Sequence, residues 1–375
     1  MFPIPFLKKV FLIWNKIKIE TIDKLLYKEY KINADQFLLY RQGFPYREAN
    51  ISIDAMAEGR EKDFMRSWST WTQEEFILVF SSTCWIEPDY GWAVVKPNKL
   101  IYYSFGVSRT FFQRKPHLLK LIFRKDIVRV KQAISLRDSG EENYFHFFND
   151  ILAKLFFLTD NKIDVQSYPV IVSRKLFEKE YFQFCLKNVR LMQSLKWIVQ
   201  DKQFIQCDSV IFCKPLTHRL DVWNRILESI PPIEPSMGEK RIFLTRNKSR
   251  LRFIENQTEI DKVCHDFKLK MTDTEGLSFM EQISLFSNAE LIVGIHGAGL
   301  TNMVFSTSRC TVLEIFPPPE YDYLPYHYMM LAVMRGFSYR AIIGEPGKKY
   351  SGGFCLSPER LDQELRAIFG EGLPK

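Results

Sequence analysis

No uninterrupted apolar run in this chain approaches the ~20 residues that carry a helix across a bilayer, so no spanning helix is expected. The seven cysteines are odd in number, lie singly and form no Cys-x-x-Cys pair. That pattern argues against both a disulfide framework and a zinc ribbon, and fits reduced thiols in a cytoplasmic compartment. The six histidines are dispersed without a His-x-x-x-His, and no Asp-x-Asp occurs. No metal-ligand cluster is therefore expected, and no metal or other cofactor. A dense Lys/Arg block and internal repeats are also missing. The net charge of +8 is moderate. It does not mark a nucleic-acid protein, but it favours anionic partners such as nucleotide diphosphates, acidic glycans or an anionic bilayer.

With 375 residues, 46% hydrophobic and 26% charged, the chain suits a globular protein of two ordinary domains. The 32 phenylalanines suit large cores or sugar-stacking surfaces equally. At the N-terminus Phe6, Val10, Ile13, Trp14 and Ile17 share one helical face, with Lys8, Lys9, Lys16 and Lys18 around it. Residues 6–18 thus read either as an interfacial helix in peripheral membrane contact or as a first helix packed on its own domain. Lysines interrupt the apolar stretch and no small-residue cleavage site follows, so it is a poor signal peptide.

The most informative stretch is 290–305. Leu291 to Ile295 is a buried-strand run, closed by Gly294, Gly297 and Gly299, after which Leu300 to Phe305 can start a helix. A strand feeding a glycine turn and a helix start presents bare backbone N–H groups to an anion. The following strand, Thr311 to Phe316, carries Glu314 near its carboxyl end, where α/β sheets bind ligands. Amides for a diphosphate beside a carboxylate for ribose hydroxyls suggest a nucleotide. The alternative is a strand–turn–helix whose glycines serve only tight packing.

The segments His296-Gly297-Ala298-Gly299-Leu300-Thr301-Asn302 and 312–317 (Val-Leu-Glu-Ile-Phe-Pro) resemble the hallmark of glycosyltransferase family 61. Asn143-Tyr144-Phe145-His146 with Asp150 is similar to a second family element. Residues 241–246 with Arg252 and Asn256 are similar to a third, and Tyr326, Leu331, Ala332, Gly336 and Tyr339 to a fourth. The resemblance runs from Arg137 to Arg340. Departures are Asp150 where many bacterial members have Glu, Gln257 where Glu is usual, and Arg309 for a common Gly. It implies a GT-B-like α/β fold, two Rossmann-like domains facing a cleft. It also implies an inverting, metal-independent transferase that takes a nucleotide sugar, a UDP-sugar as in the family, to a glycan acceptor. The absence of an anchor or disulfides suits a bacterial-type cytoplasmic member that builds capsular or surface polysaccharide.

The organisation fits. Strand runs at 76–80, 92–95, 102–105, 170–172 and 210–212 and helices at 143–158 and 177–186 form an acceptor-side domain over 1–232. The Pro/Gly-rich segment 231–238 reads as a linker. A nucleotide-sugar domain over 239–356 follows, with strands at 241–245, 269–271, 291–295, 311–316 and 337–342. Its helices are 255–267, one opened by a Ser278/Glu281 capping box, and 323–334. A last helix occupies 357–375.

Leaving-group stabilisation without a metal falls to cations and amides. Arg246, at a strand's carboxyl end, suits a diphosphate as a bidentate guanidinium, with Arg250 and Arg252 in the same loop in support. By the resemblance, His296 and the 297–302 turn bind the donor with Glu314. His146 and Asp150 lie four apart on one helix face, which suits either a structural pair satisfied by its own hydrogen bond or a general base. The resemblance, by placing this helix on the cleft, implies a His–carboxylate general base with either member as the proton acceptor, and Asn143 caps the helix. Two rival functions are a non-catalytic nucleotide-sugar or glycan-binding protein on the same fold and a dinucleotide oxidoreductase. Against the second, Gly294-x-x-Gly297-x-Gly299 is not Gly-x-Gly-x-x-Gly.

Overall fold

The computed structural model describes residues 38–45, 72–96, 99–101, 104, 118–138, 140–232, 238–249, 251–319, 324–348 and 351–370. The segment 6–18, most of the expected strand at 102–105, Arg250, Tyr323 and much of the linker lie outside the described residues. The chain divides into two compact units, residues 1–42 with 74–216 and residues 43–73 with 217–375. The break thus falls ahead of the Pro/Gly-rich segment. The last helix, Pro358–Gly370, is part of the second unit, because Leu361, Leu365 and Ile368 are built into that unit's main core with Phe243, Leu291 and Leu313.

Both units are α/β with sheets rich in parallel strands. In unit 1 the strands are β1 (Leu38–Pro45), β2 (Thr72–Phe80), β3 (Cys84–Ile86), β4 (Ala93–Lys96), β5 (Lys99–Leu100), β6 (Ile127–Ser135), β7 (Pro169–Ser173), β8 (Lys196–Gln200) and β9 (Phe204–Lys214). They form one sheet, ordered β5-β4-β3-β9-β6-β7-β8, with β2 paired to β9 and β1 to β2. Only β6, β7, β8 and β9 run parallel; β2 and β3 lie antiparallel along successive stretches of β9, and β4 and β5 continue the antiparallel edge. The short connections from β2 to β5 explain this, since a parallel partner needs a crossover of a dozen or more residues. Unit 1 is therefore a mixed sheet, and only one part of it is Rossmann-like. β6 and β8, both absent from the sequence reading, supply two of the four parallel strands.

Unit 2 carries a five-stranded parallel sheet of β10 (Arg241–Leu244), β11 (Lys270–Thr272), β12 (Leu291–Ile295), β13 (Thr311–Phe316) and β14 (Ser338–Ile343), ordered β11-β10-β12-β13-β14. A small antiparallel pair, β15 (Glu345–Pro346) and β16 (Phe354–Cys355), lies beside it in sequence. This is the doubly wound order 2-1-3-4-5, whose reversal point is between β10 and β12. Alternation along β12 and β13 sends Leu291, Val293, Ile295, Leu313 and Ile315 into the main core. Gly294 and Glu314, paired across the two strands, fall on the opposite phase. The Ser278/Glu281 capping box forms as expected and opens the Phe279–Phe286 helix.

Two candidate functional sites

In unit 2 the glycine turn leaves β12 at the reversal point. His296 Nδ1 lies 2.5 Å from Glu314 Oε1, and the Tyr339 hydroxyl donates to Glu314 Oε2 at 2.6 Å. Glu314 has no exposed surface, while His296 keeps 13% of its side chain exposed. The imidazole is stacked on Phe316, with centroids 5.1 Å apart, and meets Tyr328 edge-on at 5.3 Å. Glu314 thus has both oxygens engaged inside the protein and fixes the ring's orientation. The ribose role expected of it meets a buried, already satisfied carboxylate. Tyr339 was read as part of a closing strand and missed as a partner. The signal was its hydroxyl on an apolar strand, which needs an acceptor when buried.

Beyond His296 the backbone is open. Gly297 is extended, with φ 164°, and the 3₁₀ helix Ala298–Phe305 follows. Among the described residues, the N–H groups of Gly297, Ala298 and Gly299 donate to no protein acceptor, and the first bond of the turn is Leu300 N–H to Gly297 O at 3.0 Å. Only one of the three glycines is needed for packing. A Cβ at Gly294 would come 2.7 Å from Leu300 Cδ2. At Gly297 it would meet nothing closer than the Arg246 guanidinium at 3.4 Å, and at Gly299 nothing closer than Thr274 Oγ1 at 3.4 Å. Neither position needs glycine for its φ or for its neighbours, so tight packing does not account for two of the three.

Arg246, two residues past β10, thus has its guanidinium beside Gly297, and Arg252 Nη1 donates to the His296 carbonyl at 3.4 Å. Two cations and three amides converge on one turn. Leu300, Thr301 and Asn302 are placed differently: all three are fully buried. Asn302 donates to Gln282 Oε1 at 2.9 Å and ties the turn to the neighbouring helix. They shape the turn from behind. Asn256 likewise clamps Leu356, accepting its N–H at 3.0 Å and donating to its carbonyl at 2.8 Å, so the Arg252 loop is held against 352–356.

In unit 1 the helix over 144–160 starts at Asn143, whose Oδ1 accepts from Phe145 N–H at 2.9 Å and His146 N–H at 3.4 Å. The expected cap is present. The helix is not uniform, for Phe147–Leu152 forms a π turn between the α segments Tyr144–His146 and Ala153–Asp160. Such turns recur at functional sites. Asp150 sits within it and accepts from His146 Nδ1 at 2.6 Å and from Asn149 Nδ2 at 2.9 Å. Asp150 is 5% exposed and His146 28%. Burial acts to lower the His146 pKa, but the hydrogen bond and charge of Asp150, with the charge of Asp138, outweigh it and raise it.

A buried polar network surrounds this helix. Lys154 reaches Asp138 Oδ2 at 2.8 Å, with both side chains almost fully buried. Arg137 pairs with Glu141 at 2.9 Å, bonds Gln200 and donates to the Pro88 carbonyl at 3.0 Å. Burial holds the Glu141 carboxyl above its ordinary range even beside Arg137. Gly91, at φ 83°, makes room for Arg137, whose Cβ would otherwise lie 2.2 Å from a Cβ there. Arg137 and Asp138 follow β6, and Gln200 ends β8. The network therefore occupies the carboxyl ends of parallel strands, where α/β sheets bind ligands. The sequence reading missed it; the available signal was Lys154 as the one charged residue in the apolar run 151–158.

All seven cysteines are free, six of them buried. Among the described residues, no group of three or more His, Cys, Asp or Glu side chains is arranged to hold a metal. Among the same residues, no helix is long and apolar enough to cross a membrane.

Residues 144–313 match the family described as Glycosyltransferase 61. The family resemblance is borne out over this stretch; the fourth block, Tyr326 to Tyr339, lies beyond it. The matched stretch holds His146, Asp150, Arg246 and the 296–302 turn, and stops one residue before Glu314. Known proteins similar to the chain include the EGF domain-specific O-linked N-acetylglucosamine transferases of Drosophila melanogaster, 26% identical over 136 residues, and of Mus musculus, 26% over 133 residues. That of Gallus gallus is 27% identical over 133 residues. Each alignment takes in 34% of this chain and spans only 23% of the relative's length.

Proposed function

We propose that the protein is a glycosyltransferase that moves a sugar from a nucleotide donor to a glycan acceptor by an inverting, metal-independent displacement. The observation that carries the donor half is the turn at 297–299: three free amides beside Arg246, with glycine where the fold does not demand it. A diphosphate would accept from those amides and from Arg246 and Arg252, which supply charge where the leaving group develops it. His296, oriented by Glu314 and Tyr339 with Nδ1 committed to the carboxylate, presents Nε2 as an acceptor to a hydroxyl of the donor's ribose or sugar. Glu314 acts through His296 as a positioning residue; this revises its ribose-binding role. Leu300, Thr301 and Asn302 support the turn from within.

In the acceptor half, the His146–Asp150 pair removes the proton from the attacking hydroxyl. Nδ1 is committed to Asp150, so the proton goes to Nε2. The donor is a UDP-sugar in this reading. N-acetylglucosamine is the first sugar to test, because the similar proteins are named for its transfer. A surface polysaccharide built in the cytoplasm is the proposed setting, with a glycan as acceptor.

Titrating UDP into purified protein by calorimetry tests the donor site. Arg246→Ala and His296→Ala should each weaken UDP, since a hydrogen bond to a charged group contributes ~1.5–3 kcal/mol, roughly tenfold or more in affinity. His146→Ala should leave it unchanged. Equal UDP affinity in all three folded variants would remove the turn from the donor site. Transfer that disappears in EDTA and returns with manganese would end the metal-free part of the proposal.

A further inference from the structure

Unit 1 carries a second feature unconnected with sugar transfer. Of the large hydrophobic side chains exposed among the described residues, four lie within seven consecutive positions: Ile122 at 47%, Phe123 at 70%, Ile127 at 37% and Val128 at 42%. Their exposure follows from the local build. The short helix Leu118–Ile122 is anchored by Leu121, which is buried with Trp92, Val94, Leu100 and Phe204. Arg124 braces its end by lying 4.1 Å over the Trp85 ring and donating to the Leu121 carbonyl at 2.6 Å. With Leu121 turned inward, Ile122 and Phe123 face solvent. Asp126 then takes a left-handed conformation, φ 54°, and redirects the chain into β6. The first residues of β6 pair with β9 alone; β7 joins only at Ile134 and Ser135, so Ile127 and Val128 stay exposed, one on each face of the strand.

The charge along this segment is mainly positive. Residues 120–131 contain Lys120, Arg124, Lys125, Arg129 and Lys131 against a single acid, Asp126. Lys120 is paired with Asp89 at 2.6 Å. Lys125, Arg129 and Lys131 are exposed or nearly so and have no acidic partner among the described residues. Apolar tips ringed by unpaired cations match an anionic lipid surface, where the tips enter the acyl boundary and the cations meet headgroups. A second copy of the chain is a poor occupant, because a twofold contact would set like charges face to face.

We infer that the 122–131 surface docks unit 1 on an anionic bilayer, independently of the N-terminal residues 6–18 and of the sugar-transfer reading. The test is co-sedimentation of the full chain with phosphatidylcholine vesicles, with and without phosphatidylglycerol. Binding should require the anionic lipid and weaken as salt rises. Lys125→Glu with Arg129→Glu should lower it well beyond the roughly fivefold expected per lost cation. Ile122→Ser with Phe123→Ser should lower it at least about tenfold. Leu220→Ser, which alters an exposed leucine of unit 2, should leave it unchanged. An unshifted melting temperature would show the variants to be folded. The inference is overturned if neutral vesicles bind equally, if both patch variants retain wild-type binding, or if Leu220→Ser loses as much. It is also overturned if the patch variants dissociate a dimer in light scattering while vesicle binding persists.

Discussion

The molecule contains the same pair twice, a histidine Nδ1 on a carboxylate at 2.6 Å in unit 1 and at 2.5 Å in unit 2. The settings differ. His146 and Asp150 are one helical step apart, the imidazole is more exposed, and its proton is held more tightly than usual. His296 and Glu314 are 18 residues apart on neighbouring strands, and the carboxylate is sealed by Tyr339 and the imidazole by Phe316 and Tyr328. In the proposed reading one pair exchanges a proton and the other keeps a ring still. A motif of two residue types does not state its task; the exposure and remaining partners do.

The sharpest way to break this contrast is to remove each histidine. His146→Ala should cut turnover about a hundred- to ten-thousand-fold while sparing UDP affinity. Steady-state rates beside calorimetry would show whether the loss is in turnover alone. Asp150→Asn should let the His146 pKa fall and carry the acidic limb of the pH–rate profile to lower pH. An unmoved limb would mean that another group titrates. The same raised pKa bears on stability. Folded His146 binds its proton more tightly than the unfolded side chain, so its contribution is complete below the ordinary value of 6.5. It is lost as pH rises through the higher folded value.

Next in size is the buried polar network of unit 1. Asp138→Ala or Lys154→Ala, each stranding a buried charge, should cost about 3–5 kcal/mol in denaturant unfolding. Replacing both with apolar side chains of similar volume should recover much of that. A double variant no better than the singles would deny that the two charges are each other's principal compensation.

Tyr339→Phe should be milder. It removes one hydrogen bond to a buried carboxylate, worth ~1.5–3 kcal/mol, and should weaken UDP through a loosened His296. Loss of stability with unaltered UDP binding would reduce the triad to a structural feature.

The smallest effects should come from the glycines, and their signs should separate. Gly294→Ala should destabilise by roughly 1–3 kcal/mol, because its Cβ is driven against Leu300 in a filled core. Gly297→Ala should change stability by no more than ~0.5 kcal/mol yet weaken UDP, since its Cβ occupies space beside Arg246. Equal thermal shifts for the two would return both glycines to packing.

The legible parts of the fold were the local ones. The strand at 291–295 and the capping box at Ser278 were found at their stated positions because an apolar run and a Ser-x-x-Glu spacing are short-range signals. The Asn143 cap and the His146–Asp150 spacing were legible for the same reason. The helix expected over 177–186 was read across a break, since the chain instead forms Arg174–Phe177 and Glu180–Asn188. β6 escaped because its first half is exposed and charged, which hides the alternation of a strand.

What the sequence by itself determined is which short segments become strand, turn and capped helix, and which chemical groups they carry: a histidine before a glycine turn, an arginine after a strand, a histidine four residues ahead of an aspartate. Only the tertiary structure decided that Glu314 is a buried partner of His296 and Tyr339, that Asp138 compensates Lys154, and that Gly297 leaves room beside Arg246. The reason is physical. Local propensity and capping act over about one turn of chain. The fate of a buried charge is set by whichever partners the folded sheet brings within ~3 Å from distant positions.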